Sequence, residues 1–282
     1  MVGGRVNLPR DLPESLDQIP IWGFEERSRF ADLELTDRSD MSFYQRFLRD
    51  ESTFRVLVIP CGPGGLTPLL ASRRCQGRME DSAPGMVALA RNEVDRCGAA
   101  GRIKVAIADL LEPTVDLGRY DLAIIPREAL QLFSADDQKR IVVGLSGRVR
   151  PGGGVLIDGV PLSSEGDTHE HRPDYLRRHS PNGGLTVDFR RTDGHRSLTR
   201  WRSVSEDRPG RLKVEFVYAF VEDSECRFGR FSLSLYGLSG ELPRGTTNLS
   251  LVDQFGDYGG ARYGPGSPKH ILQFVRTAEK PR

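Results

Sequence analysis

The segment Ile59-Pro60-Cys61-Gly62-Pro63-Gly64-Gly65 places three glycines directly after an apolar run and directly before a helical pattern. Glycine has no Cβ, so at a strand-to-helix turn the backbone can lie against a ligand. The next apolar run ends in Met79-Glu80-Asp81, and the one after it in Ala108-Asp109-Leu110. A carboxylate at the first of these ends can accept both hydroxyls of a ribose. A short acid at the second can meet the edge of a purine, with Leu110 against its ring. Glycines, Asp81 and Asp109 at three successive strand ends therefore outline one nucleoside-sized crevice along the carboxyl edge of a sheet. A dinucleotide reading needs glycine or alanine at position 67, where Thr67 stands, and Pro63 removes one amide donor from the loop.

Groups that could move a proton belong on loops above the same edge. Arg127 follows the fourth apolar run, and His169, His171 and Tyr175 follow the fifth. The two histidines have the chemistry of a base or a metal ligand, but an isolated His-x-His in a polar loop is more often neither, and no metal is expected. Tyr258 and Tyr263, in the glycine-rich stretch 256–268, are candidates for lining the mouth of a substrate site.

Positioning these residues takes a parallel sheet. Apolar runs alternate with amphipathic segments from Phe54 onward, the punctuation of βαβ units. Strands are expected at 55–60 (RVLVIP), up to Asp81, at 103–108 (IKVAIA), at 120–125 (YDLAII) and at 155–160. Pro68 fits only the first turn of the helix after the glycine loop. Further helices are expected from Ala83-Pro84 to Arg96 and from Glu128 to Arg150, the latter stopping before Pro151. From 185 to 236 the period changes to alternation (LTVDFRR, LTRWRSV, LKVEFVYAF, RFSLSLY), with turn signals at Asp193-Gly194 and Pro209-Gly210. The expected fold is α/β: a doubly wound, mostly parallel seven-stranded sheet with an inserted antiparallel sheet. Its organisation is a helical cap over residues 1–53, a core over 54–162 and 249–282, and a lid loop with the inserted sheet over 163–248. Residues 249–255 and 270–276 would be the two closing strands.

The 282 residues carry 40 basic and 39 acidic side chains, a formal net charge of +1. That balance provides no general field for nucleic acid or an anionic membrane, so the partner should be a small molecule. Apolar runs fall short of the roughly 20 residues needed to span a bilayer, and the N-terminus lacks a signal-peptide core. Four cysteines without a CxxC pair suit reduced thiols, so a cytoplasmic location is expected. A homodimer through the inserted sheet is a further expectation.

In order and spacing, residues 56–71 (VLVIPCGPGGLTPLLA), 81–91 (DSAPGMVALAR), 106–110 (AIADL), 120–133 (YDLAIIPREALQLF) and 149–157 (VRPGGGVLI) resemble the class I S-adenosylmethionine-dependent methyltransferases. The likeness covers about residues 37–160 and returns in the closing strands. The inserted sheet is similar to that of the small-molecule branch methylating glycine or amino sugars. The resemblance implies S-adenosyl-L-methionine as cofactor, with Gly62 and Gly64 beside its methionine part, Asp81 on ribose and Asp109 on adenine. It implies further contacts from Pro60, Cys61, Ser82, Met86, Leu110 and Pro126, and a covering segment 37–44 (DRSDMSFY) that offers Tyr44. The family usually has an acid and a glycine where this chain has Val58 and Pro60. The expected activity is methyl transfer to a small-molecule nitrogen, oxygen or carbon, with a role in bacterial secondary metabolism. The alternatives are a cofactor-binding protein with a non-methylating reaction, such as a cyclisation, and a nicotinamide oxidoreductase.

Overall fold

The computed structural model describes residues 12–13, 15–112, 120–162, 184–208, 210–238 and 248–277. Three short helices come first: α1 (Phe24–Ser28), α2 (Ala31–Glu34) and α3 (Met41–Gln45). The α/β alternation then runs through β1 (Arg55–Val58), α4 (Thr67–Ala71), β2 (Gln76–Asp81), α5 (Pro84–Arg96), β3 (Ile103–Ile107), β4 (Tyr120–Ile125), α6 (Ala135–Arg148) and β5 (Val149–Gly159). Four strands follow, β6 (Thr186–Asp193), β7 (Arg196–Arg208), β8 (Arg211–Glu222) and β9 (Glu225–Tyr236), and then β10 (Leu249–Phe255) and β11 (His270–Arg276).

The seven-stranded sheet has the order β10-β11-β5-β4-β1-β2-β3; β11 pairs antiparallel with both β10 and β5, and the other pairs are parallel. Helices cover both faces of its central strands, so Val56, Leu57 and Val58 of β1 are all buried, as a near-continuous apolar run requires. One apolar cluster, with Val56, Leu70 and Ile124, lies on one face; the other, with Leu57, Ala123 and Ile157, lies on the opposite face. Strands β6 to β9 form a separate antiparallel sheet of four in simple meander order.

The helical region after β4, expected over Glu128 to Arg150, differs from the sequence expectation at both ends. Arg127 and Glu128 take left-handed φ of 53° and 57°, a single 3-10 turn spans Ala129–Leu132, and α6 starts only after Ser134, whose hydroxyl caps the Asp137 amide. Strand β5 begins at Val149, not Val155. Pro151 and the glycines after it sit in an irregularity of the β4–β5 pairing, where Leu122 opposes Gly154. A Cβ on Gly153 would lie 2.6 Å from Val149 Cγ1, so glycine permits this irregular passage. The inserted strands are longer than their alternating cores, because hairpin pairing continues through Arg196↔Glu222 and Glu222↔Glu225.

No helix among the described residues is long and apolar enough to cross a membrane. The four cysteines are free, and no three His, Cys, Asp or Glu among the described residues gather as a metal site.

Candidate functional site

The carboxyl ends of β1, β2 and β3 carry the glycine loop, Asp81 and Asp109 side by side. The Cys61 amide donates to the Glu80 carbonyl at 2.7 Å and pins the loop to the end of β2. Gly62 and Gly64 have φ of +54° and +90°. A Cβ at Gly64 would lie 3.0 Å from Ala90 Cα, so that glycine lets the loop pack on α5. A Cβ at Gly62 would meet nothing within 4 Å: this glycine serves the left-handed turn and borders open space.

Asp81 links the loop to the next helix. Its Oδ2 accepts the Gly62 amide at 2.8 Å and its Oδ1 the Ala83 amide at 2.9 Å. Burial pushes its carboxyl above the usual range, while the amides of Ala83, Gly62 and Ser82 pull it back. Each carboxylate oxygen keeps a second lone-pair direction for a ligand hydroxyl. Asp109 is exposed and its Oδ1 accepts the Leu111 amide at 2.9 Å, while Leu110 packs in one apolar cluster with Leu57 and Ile59. Ser82 is exposed, Pro60 half-buried, and Cys61, Met86 and Pro126 buried. Arg38 reaches the loop from the N-terminal segment: its Nη1 donates to the Leu35 carbonyl at 2.6 Å and lies 3.4 Å from a Cβ placed on Gly65.

A second group of side chains converges where β4 and β5 end. Arg127 Nε donates to Asp40 Oδ2 at 2.8 Å and its Nη2 to Oδ1 at 3.2 Å, with a further bond to the Asp37 carbonyl. Burial works against the charge of Arg127, but Asp40 overrides it and the guanidinium stays protonated. Arg127 thus straps the 37–44 segment over the edge, and a cation so held cannot serve as the base the sequence suggested. Tyr44 is fully buried and its hydroxyl donates to Asp158 Oδ2 at 2.8 Å. The same oxygen accepts the Tyr258 hydroxyl at 2.7 Å and the Arg127 amide at 3.3 Å. Lys269 Nζ lies 3.4 Å from Asp158 Oδ1 and 2.6 Å from Glu128 Oε1. Burial pushes the Asp158 carboxyl up against the pull of Lys269. It also opposes the charge of Lys269, yet Glu128 and Asp158 hold the ammonium protonated well above its ordinary range.

One strand away, His270 stacks on Tyr263 with centroids 3.8 Å apart and pairs its Nε2 with Gln254 Oε1 at 2.9 Å. Burial pushes its pKa down to about 4, so it is neutral at pH 7. On the other side, the N-terminal segment is fastened to the inserted sheet. The buried Glu34 Oε1 takes Arg27 at 2.7 Å, Arg200 at 2.6 Å and the Tyr218 hydroxyl at 2.8 Å.

The structure therefore gathers Gly62, Gly64, Asp81, Asp109 and Leu110 along one edge, with Arg127 and Tyr44 beside them. His169, His171 and Tyr175 lie outside the described residues. Sequence reasoning missed Asp158, Glu128, Lys269, Asp40 and Arg38. Only Asp158 had a visible signal, an acid inside the apolar run VLIDGV.

Residues 56–153 match the family described as "Methyltransferase domain". No curated protein matches the sequence. The chain is similar in structure to the CcbJ methyltransferase from Streptomyces caelestis, with 13% identity, a TM-score of 0.66, and 90% of this chain and 98% of that one covered. It is similar to KedS8, a sugar N-methyltransferase from Streptoalloteichus, with 14% identity, a TM-score of 0.62 and 99% of each chain covered. It also resembles CalS10, an amino pentose methyltransferase from Micromonospora echinaspora solved with bound S-adenosylmethionine, with 15% identity, a TM-score of 0.56, and 91% and 92% covered.

Proposed function

We propose that this chain, whose core is a methyltransferase domain on the fold of the adenosylmethionine-dependent enzymes, moves the methyl group of S-adenosyl-L-methionine to a small-molecule acceptor in bacterial secondary metabolism. An amine of a sugar-like scaffold is the leading acceptor, by analogy with the sugar N-methyltransferase KedS8 and the amino pentose methyltransferase CalS10. The observation that carries the reading is the juxtaposition of Gly62 and Asp81. A left-handed glycine amide is tied 2.8 Å from the acid beside open space into which no Cβ projects. These residues fit a nucleoside with an amino-acid tail: Asp81 would hold the ribose, Asp109 and Leu110 the adenine, and Arg38, over the glycine loop, the tail's carboxylate.

The cofactor, when bound, supplies an already activated sulfonium methyl. What the chain must add is alignment, which can lower a barrier by about 7 to 11 kcal/mol. Gly62 and Gly64 shape the loop for close approach, and the Arg127–Asp40 pair and the Tyr44–Asp158 bond hold the N-terminal segment over it. That closure limits water at the edge. An acceptor amine that arrives as an ammonium must lose a proton before its nitrogen can attack, and Glu128, a partly exposed carboxylate just after β4, is the group we assign to take it.

The apolar Val58 at the end of β1, 1% exposed, favours one second reading: the nucleoside is bound but a non-methylating reaction follows. Isothermal calorimetry with adenosylhomocysteine and with NAD, followed by a labelled-methyl transfer assay on amino sugars, tests both. Adenosylhomocysteine binding with methyl transfer supports the first reading; binding without transfer to any nitrogen, oxygen or carbon acceptor supports the second. We further propose that the edge strand β6 of the inserted sheet, where Val187 is 49% exposed, is the contact of a homodimer.

A further inference from the structure

Two carboxylates and a single ammonium make up the charged cluster at the ends of β4 and β5. Lys269 Nζ is 2.6 Å from Glu128 Oε1 and 3.4 Å from Asp158 Oδ1. Asp158 is 0% exposed, and while its Oδ2 accepts two phenols and an amide, its buried Oδ1 has no hydrogen-bond partner. Both phenols are donors to that carboxylate and remain neutral. The neighbouring Arg127 and Asp40 neutralise each other, and the adjacent Asp37 and Arg38 on the rim carry opposite formal charges. One formal negative charge is left over in a poorly solvated place, an arrangement that costs stability unless a cation completes it.

The sheet order says which cation. β4 lies directly beside β1, so a ligand laid from the end of β3 across β2 to the glycine loop of β1 reaches residues 126–128 next. The same short segment that brings Arg38 to the glycine loop brings Tyr44 to Asp158. The adenosyl end is thus directed toward Asp81 and Asp109, and the sulfur end toward the cluster.

We propose that Glu128, Lys269 and Asp158 together supply one uncompensated negative charge to the sulfonium of adenosylmethionine, so that the site distinguishes the charged cofactor from its neutral demethylated product. This assignment rests on the methyltransferase reading. A unit charge acting over several ångströms in a medium of intermediate dielectric changes an affinity by about tenfold or more.

The test is calorimetric titration of wild type, Glu128→Gln and Lys269→Met with adenosylmethionine and, separately, adenosylhomocysteine. Glu128→Gln should weaken adenosylmethionine about tenfold and leave adenosylhomocysteine within about twofold. Lys269→Met should move the ratio of the two affinities in the opposite direction. An unchanged ratio in Glu128→Gln, or equal weakening of both ligands, overturns the assignment. The Glu128 side chain is 27% exposed, so that variant, its fold checked by thermal melting, decides the matter if Lys269→Met fails to fold. Wild type that binds neither nucleoside overturns the methyltransferase reading; wild type that binds both with a ratio indifferent to charge overturns this inference alone.

Discussion

Asp81→Asn is a near-isosteric change that should cost cofactor affinity far more than it costs the fold. In the native chain each carboxylate oxygen accepts one backbone amide, Gly62 on Oδ2 and Ala83 on Oδ1. An asparagine keeps one acceptor, and its NH2 must face one of those amides, donor against donor. In the placement proposed above, both ribose hydroxyls would lose an ionised partner, and a hydrogen bond to a charged group contributes about 1.5 to 3 kcal/mol. Some of that loss is recovered by the remaining amide oxygen, so a weakening of about 1.5 to 3 kcal/mol, roughly tenfold to 150-fold, is expected for adenosylhomocysteine. The assay is isothermal calorimetry, with thermal unfolding run in parallel. Protonation should imitate the substitution: burial raises the Asp81 carboxyl, so its charge is lost as pH falls through that raised value and affinity should decline with it. Affinity within twofold of wild type in a folded Asp81→Asn variant refutes the placement of ribose at Asp81.

Arg127→Met removes the strap on Asp40 and should speed cofactor dissociation about tenfold, read by stopped-flow displacement, with hydrogen exchange rising at residues 37–44; unchanged dissociation would detach that segment from the site. Arg148→Met leaves Glu80, buried at 0% exposure and paired to Arg148 through bonds of 2.7 and 2.9 Å, with only Arg78 as partner. Denaturant unfolding should show a loss of about 3 kcal/mol. The lowered pKa of His270, about 4 against an ordinary 6.5, means that the unfolded chain binds this proton first. Its contribution to stability is present above pH 6.5 and lost as pH falls from 6.5 to 4, so His270→Gln should flatten the stability curve in that window.

The parts of the fold that the sequence makes plain are those governed by local pattern. The glycine loop, the acids at the ends of β2 and β3, and both closing strands are read from periodicity and turn residues, because each is decided within a dozen positions. The charged cluster is not. Asp158 meets Tyr44 and Tyr258 from 114 and 100 residues away, and the pairing of β11 with β5 that brings them together depends on topology, not spacing. Arg127 was legible as a residue of the edge, but its partner Asp40 was one acid among several in an unpatterned segment. The start of β5 was misplaced for a related reason: Pro151 and three glycines resemble a turn, and only the neighbouring strands β4 and β11 convert them into a strand with an irregular register.

The short stretch from Arg27 to Tyr44 is anchored to the inserted sheet through Glu34 and to the central sheet through Asp40 and Tyr44. A tether fixed at both ends makes the two sheets thermodynamic neighbours. An acceptor that bound against the inserted sheet would therefore alter the grip on the nucleoside, and by reciprocity the nucleoside would alter the acceptor's affinity by the same factor. Release after turnover would then be ordered, the departure of one product loosening the hold on the other.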